Sequence, residues 1–486
     1  MISNRTHTKS STLRYRRIYM QKIAVFSVIA GLVFLLSGNS SGQISGLDLK
    51  ISGCGAMEMG QVVHGWYGNG ELAHKWQEHF WGKLVAAANT NERTSLEFGF
   101  EFHYQYSTTT AFTYIPSFFP MVTFNLDRAD LNYKLLEGAA PISMKVGYFP
   151  FKYNPEARNM GEYLFRSGCY PTFVVNNFDF PKNRLLGVSV ENSLLKDNNL
   201  FSINQNLLLT SEAETYPFGD VSLSYLASFN VYKKALTIGG GICAYRVFPV
   251  DEKATTPHLG GANGTIAEIK NVRPGTDFLG NPITIGDTTF FSFAGTKLMF
   301  HATIDPKAFF QSDIMNIFGK EDCKLYGELA ILGLKNYPVY VDSLNGIGTN
   351  PDMTVRYDIL KERMPFMAGF NIPTFKILDV LSFEWEYWAN RYCNNRFNQL
   401  CGSTGTRYPL PTQPYLQSNK LDSNAVGKVK WSIYAKKEFK NVALVAQFGR
   451  DHRQVFAMSD PRFSDYGDNL IKAKDWYYLI KVGYGF

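Results

Sequence analysis

The sequence lacks several features that would assign it to a common class of protein. After residue 36 no stretch approaches the roughly twenty consecutive apolar residues that a membrane-spanning helix requires, which excludes a helical membrane protein. The six cysteines among 486 residues are scattered and show no CxxC spacing, so a zinc or redox motif has no support. Cys393 and Cys401 are close enough in sequence for a disulfide within one loop, and two free thiols are the alternative.

The sequence also lacks a surplus of charge beyond its first residues. Six of its cations and none of its acids lie in residues 1–42, so the formal net charge of +7 falls to +1 for residues 43–486. No basic excess then remains to indicate nucleic acid as a partner.

The N-terminal residues have the pattern of a secretory signal peptide. Several cations precede an apolar run at 23–36, and small and polar residues follow that run. This order predicts a signal peptide over residues 1–42 with cleavage before Gln43, and Met20 is an alternative start of the leader. Residues 43–486 are then expected to form a single domain.

Aromatic residues are plentiful, at 15% of the chain, and they occur in alternating segments. The C-terminal stretch DWYYLIKVGYGF places its apolar and aromatic side chains on one face: Trp476, Tyr478, Ile480, Val482, Tyr484 and Phe486. Segment 95–107, SLEFGFEFHYQYS, likewise sets an aromatic face opposite Glu97, Glu101 and His103. A period of two predicts strands whose faces meet different environments, and aromatic residues at both ends of an apolar row indicate the two interfaces of a bilayer. Strands of a soluble β-protein are the alternative.

At its C-terminus the chain resembles the outer-membrane β-barrel proteins of Gram-negative bacteria. In that family the final strand ends in an aromatic residue, usually Phe, which the barrel-assembly machinery recognises, and Phe486 occupies this position. The resemblance implies a location in the outer membrane, contact with outer-membrane lipid, and the barrel-assembly machinery as a partner.

Alternating segments joined in turn by short and long connections predict the fold class. They indicate an all-β protein, a transmembrane antiparallel up-and-down β-barrel of about 16 strands with short periplasmic turns and long external loops. The predicted strands lie at 44–52, 79–88, 95–107, 127–135, 142–149, 184–191, 200–210, 220–232, 236–248, 297–304, 324–332, a segment that ends near 372, 381–392, 428–436, 441–450 and 475–486. A barrel of this width is too wide for side chains to fill, which predicts water in its lumen.

Ionisable residues on the faces opposite the apolar rows are expected to line that water, because a charge facing lipid at mid-depth costs about 2–4 kcal/mol. The predicted pore-lining residues are Glu97, Glu101, Arg128, Asp130, Lys145, Glu328, Glu384, Glu386, Lys428 and Lys430. Both signs of charge occur among them, so strong selectivity for anions or cations is not predicted.

The segment 150–182, between the fifth and sixth predicted strands, carries a helical pattern. Asn154 suits the N-cap, Pro155 the first position and Gly168 the C-terminal end. In its ordinal place and its capped helix, the segment resembles the loop of general diffusion porins that folds inward and narrows the pore. That resemblance implies a constriction loop, whose charged residues are Lys152, Glu156, Arg158, Glu162 and Arg166.

Charges of both signs at the narrowest point would create a transverse field that favours small polar solutes. The alternative is a solvated helix folded over the outside, in which Arg158 and Glu162 form an i,i+4 pair.

These features predict an outer-membrane porin-like channel for the passive diffusion of small polar solutes, and the resemblance to general porins allows a homotrimer. A binding or adhesion protein that uses its long external loops is the alternative. An outer-membrane enzyme is disfavoured, because the histidines supply bases but no GxSxG motif or HExxH spacing accompanies them. No catalytic residue, cofactor or metal ligand is predicted.

Overall fold

The computed structural model describes most of the barrel and part of its connections. The described residues are 41–44, 47–64, 66–67, 70–71, 74–107, 121–138, 140–165, 183–195, 198, 200–212, 219–248, 250, 266–276, 280, 282–290, 295–309, 316–332, 334, 360–388, 428–451 and 473–486. Arg166, Gly168, Cys393, Cys401 and residues 1–40 of the predicted signal peptide lie outside them.

Sixteen antiparallel strands form a closed barrel in the described part of the chain. Numbered in chain order they are β1 (Leu47–His64), β2 (Lys75–Asn91), β3 (Thr94–Ser107), β4 (Met121–Leu136), β5 (Ile142–Phe151), β6 (Asn183–Leu194), β7 (Phe201–Ser211), β8 (Val221–Val231), β9 (Leu236–Phe248), β10 (Gly295–Ile304), β11 (Leu325–Leu332), β12 (Phe366–Asn371), β13 (Val380–Tyr387), β14 (Val429–Phe439), β15 (Val442–Arg450) and β16 (Trp476–Gly485). Each strand pairs with the next, and β16 pairs with β1 to close the sheet. The predicted fold class is confirmed.

The strands form because apolar and polar side chains alternate along them. In β3, Leu96, Phe98 and Phe100 are 44%, 47% and 53% exposed on the outside, whereas Glu101 and His103 are buried on the inside. The other strands carry further large apolar side chains outward, among them Leu223, Tyr225, Phe300, Phe383, Ile480 and Val482. So large an apolar exterior is unusual for a protein surrounded by water, and it suits contact with lipid.

Short turns and long connections lie at opposite ends of the barrel. Glu92 and Arg93 join β2 to β3, and Lys440 and Asn441 join β14 to β15. The second of these turns lies beside the C-terminus, because the Gly485 amide donates to the Asn441 carbonyl at 2.9 Å. We call this end the turn end.

The connection from β10 to β11, residues 305–324, is long for the turn end and is organised around one carboxylate. Buried Asp322 accepts hydrogen bonds from the amides of Gly319 (2.8 Å) and Phe375 (3.1 Å) and from the Thr374 hydroxyl (3.2 Å). A 3-10 helix, Pro306–Phe309, lies in the same connection. No helix among the described residues is long and apolar enough to cross a membrane.

The first strand is longer than the predicted segment 44–52, and the terminal strand does not pair with that segment. β16 instead pairs with residues from Cys54 to His64, and Phe486 exchanges two backbone hydrogen bonds with Gly53. The first residues of β1, which lie beyond the end of β16, pair with a short strand, Ser41–Ile44. This extra strand covers an edge that would otherwise be unpaired.

Two connections contain hairpins that the sequence did not predict. Trp66–Tyr67 pairs with Gly70–Glu71 between β1 and β2. Between β9 and β10, in the region predicted as a long loop, Ile266–Thr276 pairs with Pro282–Phe290.

Candidate functional site

The segment that follows β5 enters the barrel and packs against its inner wall. Ala157, Met160, Tyr163 and Leu164 are fully buried. They form one cluster with inward side chains of six strands, β7 to β12, which include Leu208, Leu226, Cys243, Met299, Tyr326 and Met367. The segment 152–165, which we call the inner loop, therefore lies in the lumen, and an apolar core fills the space between it and this part of the wall.

The carboxylate of Glu384 on β13 holds the middle of the inner loop. One oxygen accepts the amide N–H of Arg158 at 2.6 Å, and the other accepts those of Asn159 at 2.7 Å and Met160 at 3.0 Å. The Tyr326 hydroxyl donates to the same carboxylate at 3.0 Å. Three consecutive amides directed at one oxygen pair make an anion-binding concavity, and the protein fills it with its own carboxylate.

Glu328 on β11 holds the inner loop in the same way, on both sides of residues 158–160. It accepts the amides of Glu162 (2.9 Å) and Tyr163 (2.8 Å) and the side chains of Tyr153 (2.6 Å) and Asn154 (3.1 Å). Burial and the neighbouring carboxylates raise the pKa of Tyr153 well above its ordinary value. Its hydroxyl therefore stays protonated and remains a donor.

Two further contacts reach β13 and β14. The Tyr163 hydroxyl donates to Glu386 at 2.6 Å, and the Asn159 side chain donates to Ser432 at 2.9 Å. Since β5 and β13 are eight strands apart in a ring of sixteen, the inner loop crosses the lumen from one wall to the opposite one.

The predicted helix within 150–182 is wrong for the described residues. Residues 152–165 form turns and bends, and Gly161 and Glu162 have positive φ angles of 79° and 60°, which an α-helix does not allow. The amides that a helix would direct at its own carbonyls donate instead to Glu384 and Glu328.

The alternative with Arg158 and Glu162 as an exposed ion pair is also wrong. Arg158 pairs with Glu321 at 3.2 Å, and buried Glu162 accepts the amides of Asn154 at 2.5 Å and Tyr153 at 3.5 Å.

A four-residue ion network fastens the inner loop near the turn end. Lys324 pairs with Glu156 at 2.9 Å and with Glu321 at 3.0 Å, and Glu321 also pairs with Arg158. Burial alone would raise the pKa of Glu321, but the charges of Lys324 and Arg158 outweigh burial and lower it. Glu321 therefore stays ionised at neutral pH.

The wall from β1 to β6 carries a continuous chain of polar contacts on its inner face. His79 lies 3.2 Å from Glu58 and 3.0 Å from His103, and His103 lies 3.1 Å from Glu101. The chain continues through Arg184, which contacts both Glu101 and Asp127. It ends in two further ion pairs: Lys83 with Asp127, and Arg128 with Glu97.

The strand pairings put nine of the ten predicted pore-lining residues on inward faces, and Lys428 lies outside the strands, but six of the nine are buried and do not face open water. Glu328, Glu384 and Glu386 are at most 1% exposed, because the inner loop covers them. Glu101 and Asp130 are buried within the polar wall, whereas Glu97, Arg128 and Lys145 are partly exposed. Lys430 is buried and donates to the Asp451 carbonyl at 3.3 Å, and Lys428 is exposed just before β14.

An open cavity of about 540 Å³ remains beside the inner loop, towards the turn end. Lys152 and Arg158 line it from the loop, opposite residues of β1, β2, β14, β15 and β16. Sequence reasoning did not select most of the polar and aromatic groups around it: Trp81, Tyr434, Lys436, Glu438, Lys440, Lys481 and Tyr484. The inward parity of β14 and β16 could have identified Lys436 and Lys481. Among the residues that the structure describes, no group of His, Cys, Asp or Glu could hold a metal ion.

Comparisons with known proteins concern the outline of the fold. No family model matches the sequence, and no curated protein matches it. OmpF of Salmonella typhi, solved in complex with daunomycin, is 10% identical, with a TM-score of 0.41 and coverage of 91% of this chain and 98% of that chain. A triple mutant of the Rh. blastica porin is 8% identical, with a TM-score of 0.38 and coverage of 90% and 100%. The barrel is established by its own sixteen strand pairings, to which similarities of this size add nothing.

Proposed function

We propose that the protein is an outer-membrane channel through which small polar solutes diffuse passively, and that the inner loop is its constriction. The observation that carries this proposal is the path of residues 152–165, which cross the lumen and leave an open cavity beside them. A sixteen-stranded barrel without such a segment would enclose a much wider passage. The anchoring of the loop by Glu328 and Glu384 supports a fixed narrowing.

The same proposal covers the partners of the protein. The apolar exterior supports lipid of the outer membrane as its surroundings, and Phe486 at the turn end is proposed as the signal for the barrel-assembly machinery. A homotrimer is proposed as the working assembly, on the resemblance to general porins. Chemical cross-linking in membranes tests it.

The field at the constriction differs from the one expected from sequence. Glu156 is paired with Lys324 and Glu162 is buried within the inner loop, so the acidic residues of the segment do not line the cavity. Of the predicted loop charges, Lys152 and Arg158 do. A passage bounded by these cations still favours hydrated polar solutes over apolar ones.

Liposomes that contain the purified protein are expected to swell in small sugars, at a rate that falls steeply as the sugar becomes larger. The constriction is the physical reason, because a solute must fit through the space that the inner loop leaves open. Protein-free liposomes are the control. If no sugar enters faster than in that control, the channel proposal is wrong. A deletion strain that loses surface attachment while its permeability stays normal would instead favour an adhesion protein.

A further inference from the structure

The open cavity beside the inner loop presents positive charge to the solute. Five cationic side chains line it: Lys152, Arg158, Lys436, Lys440 and Lys481. Among the described lining residues Glu438 is the single carboxylate, and it pairs with Lys436. The cavity therefore has a clear excess of cations, which the mixed signs of the predicted pore-lining residues did not suggest.

The acidic residues near this cavity are buried behind cations. The side chain of Asp127 is 2% exposed and that of its partner Lys83 is 15% exposed. Glu101 is 2% exposed, and its partner Arg184 is 23% exposed. Glu58 is buried and lies 3.8 Å from Lys481. These carboxylates hold the cations in place, while the groups nearer to the water carry positive charge.

The acids of the inner loop and its anchors are also turned away from the cavity. Glu328 and Glu384 are occupied by loop amides, and Glu162 is buried beneath the loop. Neither Glu156 nor Glu321 lines the cavity: both pair with Lys324, and Glu321 also pairs with Arg158. The path of the loop thus hides negative charge on its wall side and displays Lys152 and Arg158 on its open side.

Aromatic side chains narrow the same cavity and strengthen the effect of its charges. Trp81, Tyr434 and Tyr484 contribute to the lining, and the Lys481 ammonium lies 4.8 Å from the centre of the Trp81 ring. Low-dielectric walls focus the field of the cations into the passage and raise the local concentration of anions. The aromatic faces add apolar contact for the carbon skeleton of a small organic anion.

We propose that this cavity is an anion-binding subsite and that the channel passes small solutes carrying carboxylate or phosphate groups in preference to cations. The inference rests on the proposed channel function and specifies its solutes. An anion that enters from the end of the long connections would meet Lys152 and Arg158 at the constriction. It would then meet Lys436 and Lys440 as it leaves at the turn end.

The test is the reversal potential of the full-length protein in a planar bilayer with a potassium chloride gradient. Wild type is expected to show a chloride-to-potassium permeability ratio above ~3. Lys436→Glu and Lys440→Glu should each lower that ratio, and the double variant should lower it about threefold or more. Lys376→Glu, in the exposed turn between β12 and β13, makes the same charge change outside the cavity and should leave the ratio unchanged.

Inorganic phosphate provides a second measurement. Phosphate added at the turn end should reduce the chloride current of wild type and of Lys376→Glu, but not that of the double variant. A conducting channel with a ratio of one or below overturns the inference and leaves the proposed channel intact. If Lys436→Glu and Lys440→Glu leave the permeability ratio unchanged, the cavity is not the anion-binding subsite. Absence of any conductance in a correctly folded barrel overturns both proposals.

Discussion

Glu384→Gln is expected to release the inner loop from the barrel wall and to increase single-channel conductance. The Glu384 carboxylate accepts three loop amides and the Tyr326 hydroxyl. Glutamine has nearly the same shape as glutamate, but an NH₂ group replaces one oxygen. That NH₂ group is a hydrogen-bond donor, and it would face the amide donors of the loop. Breaking a buried charged interaction of this kind costs roughly 3–5 kcal/mol, which corresponds to a shift of about a hundredfold or more in the balance between the docked and undocked loop.

Two measurements separate loop release from damage to the barrel. Single-channel conductance should rise, and trypsin should cleave after Lys152 and Arg158, which the docked loop protects in wild type. The heat-modifiable gel mobility of the closed barrel should persist, because Glu384 contacts the loop through its carboxylate while its backbone pairing in β13 is unchanged.

Glu191→Gln is the matched control for this experiment. Glu191 lies on the inward face of β6, away from the loop anchors, and accepts a hydrogen bond from Asn206. Its replacement by glutamine makes the same change of charge as Glu384→Gln. Its conductance and protease resistance should match those of wild type. Equal conductance of Glu384→Gln and wild type would show that the loop does not depend on this anchor or does not narrow the passage.

The barrel itself could be predicted because its determinants are local. In β3, β13 and β16 the side chains alternate without interruption, and outward residues such as Phe98, Phe383 and Ile480 meet lipid while their neighbours meet the lumen. A period of two is visible in any short window of sequence, so strand identity, facing and approximate number follow from it. The charged residues on inward faces follow from the same parity.

The conformation of the inner loop could not be predicted, because its determinants are distant in sequence. Asn154, Pro155 and the spacing of Ala157, Met160 and Leu164 satisfy local rules for a helix. The carboxylates that take its amides are on β11 and β13, more than 160 residues away. Their contacts outweigh local propensity, which is worth only tenths of a kcal/mol per residue. The docked loop also buries Glu328 and Glu384, although the alternation of side chains along their strands predicts that they face water.

The extent of β1 was missed for a different reason, which is the presence of glycine on its inward and outward faces. Gly53, Gly55 and Gly60 interrupt the alternation after residue 52, so the pattern weakens although the strand continues. At two of these positions a side chain would crowd the closing seam between β1 and β16. A side chain at Gly53 would meet the Phe486 ring, with its Cβ 2.5 Å from the ring carbon Cζ.

Gly60→Ala is therefore expected to impair closure of the barrel. A Cβ at this position would lie 2.4 Å from the carbonyl oxygen of Tyr478 and 3.2 Å from the Cα of Leu479. These are backbone atoms of the paired strand, so relief requires β16 to move away from β1 and lose seam hydrogen bonds. We expect a loss of about 3 kcal/mol in the free energy of unfolding and a lower yield of heat-modifiable barrel.

Gly483→Ala supplies the matched control, because it adds the same methyl group to the inward face of the same seam. The nearest atoms to a Cβ there are the Ala56 Cβ and the Gly55 carbonyl oxygen, both at 3.7 Å, which is ordinary contact. Its free energy of unfolding in urea should stay within about 1 kcal/mol of wild type. Equal stability of the two variants would mean that β16 does not approach β1 at Gly60 as closely as the structure places it. A loss of stability in Gly60→Ala alone would show that β1 and β16 need glycine at this position to pair. The residue that weakens the alternating pattern in the sequence would then be one that the barrel needs in order to close.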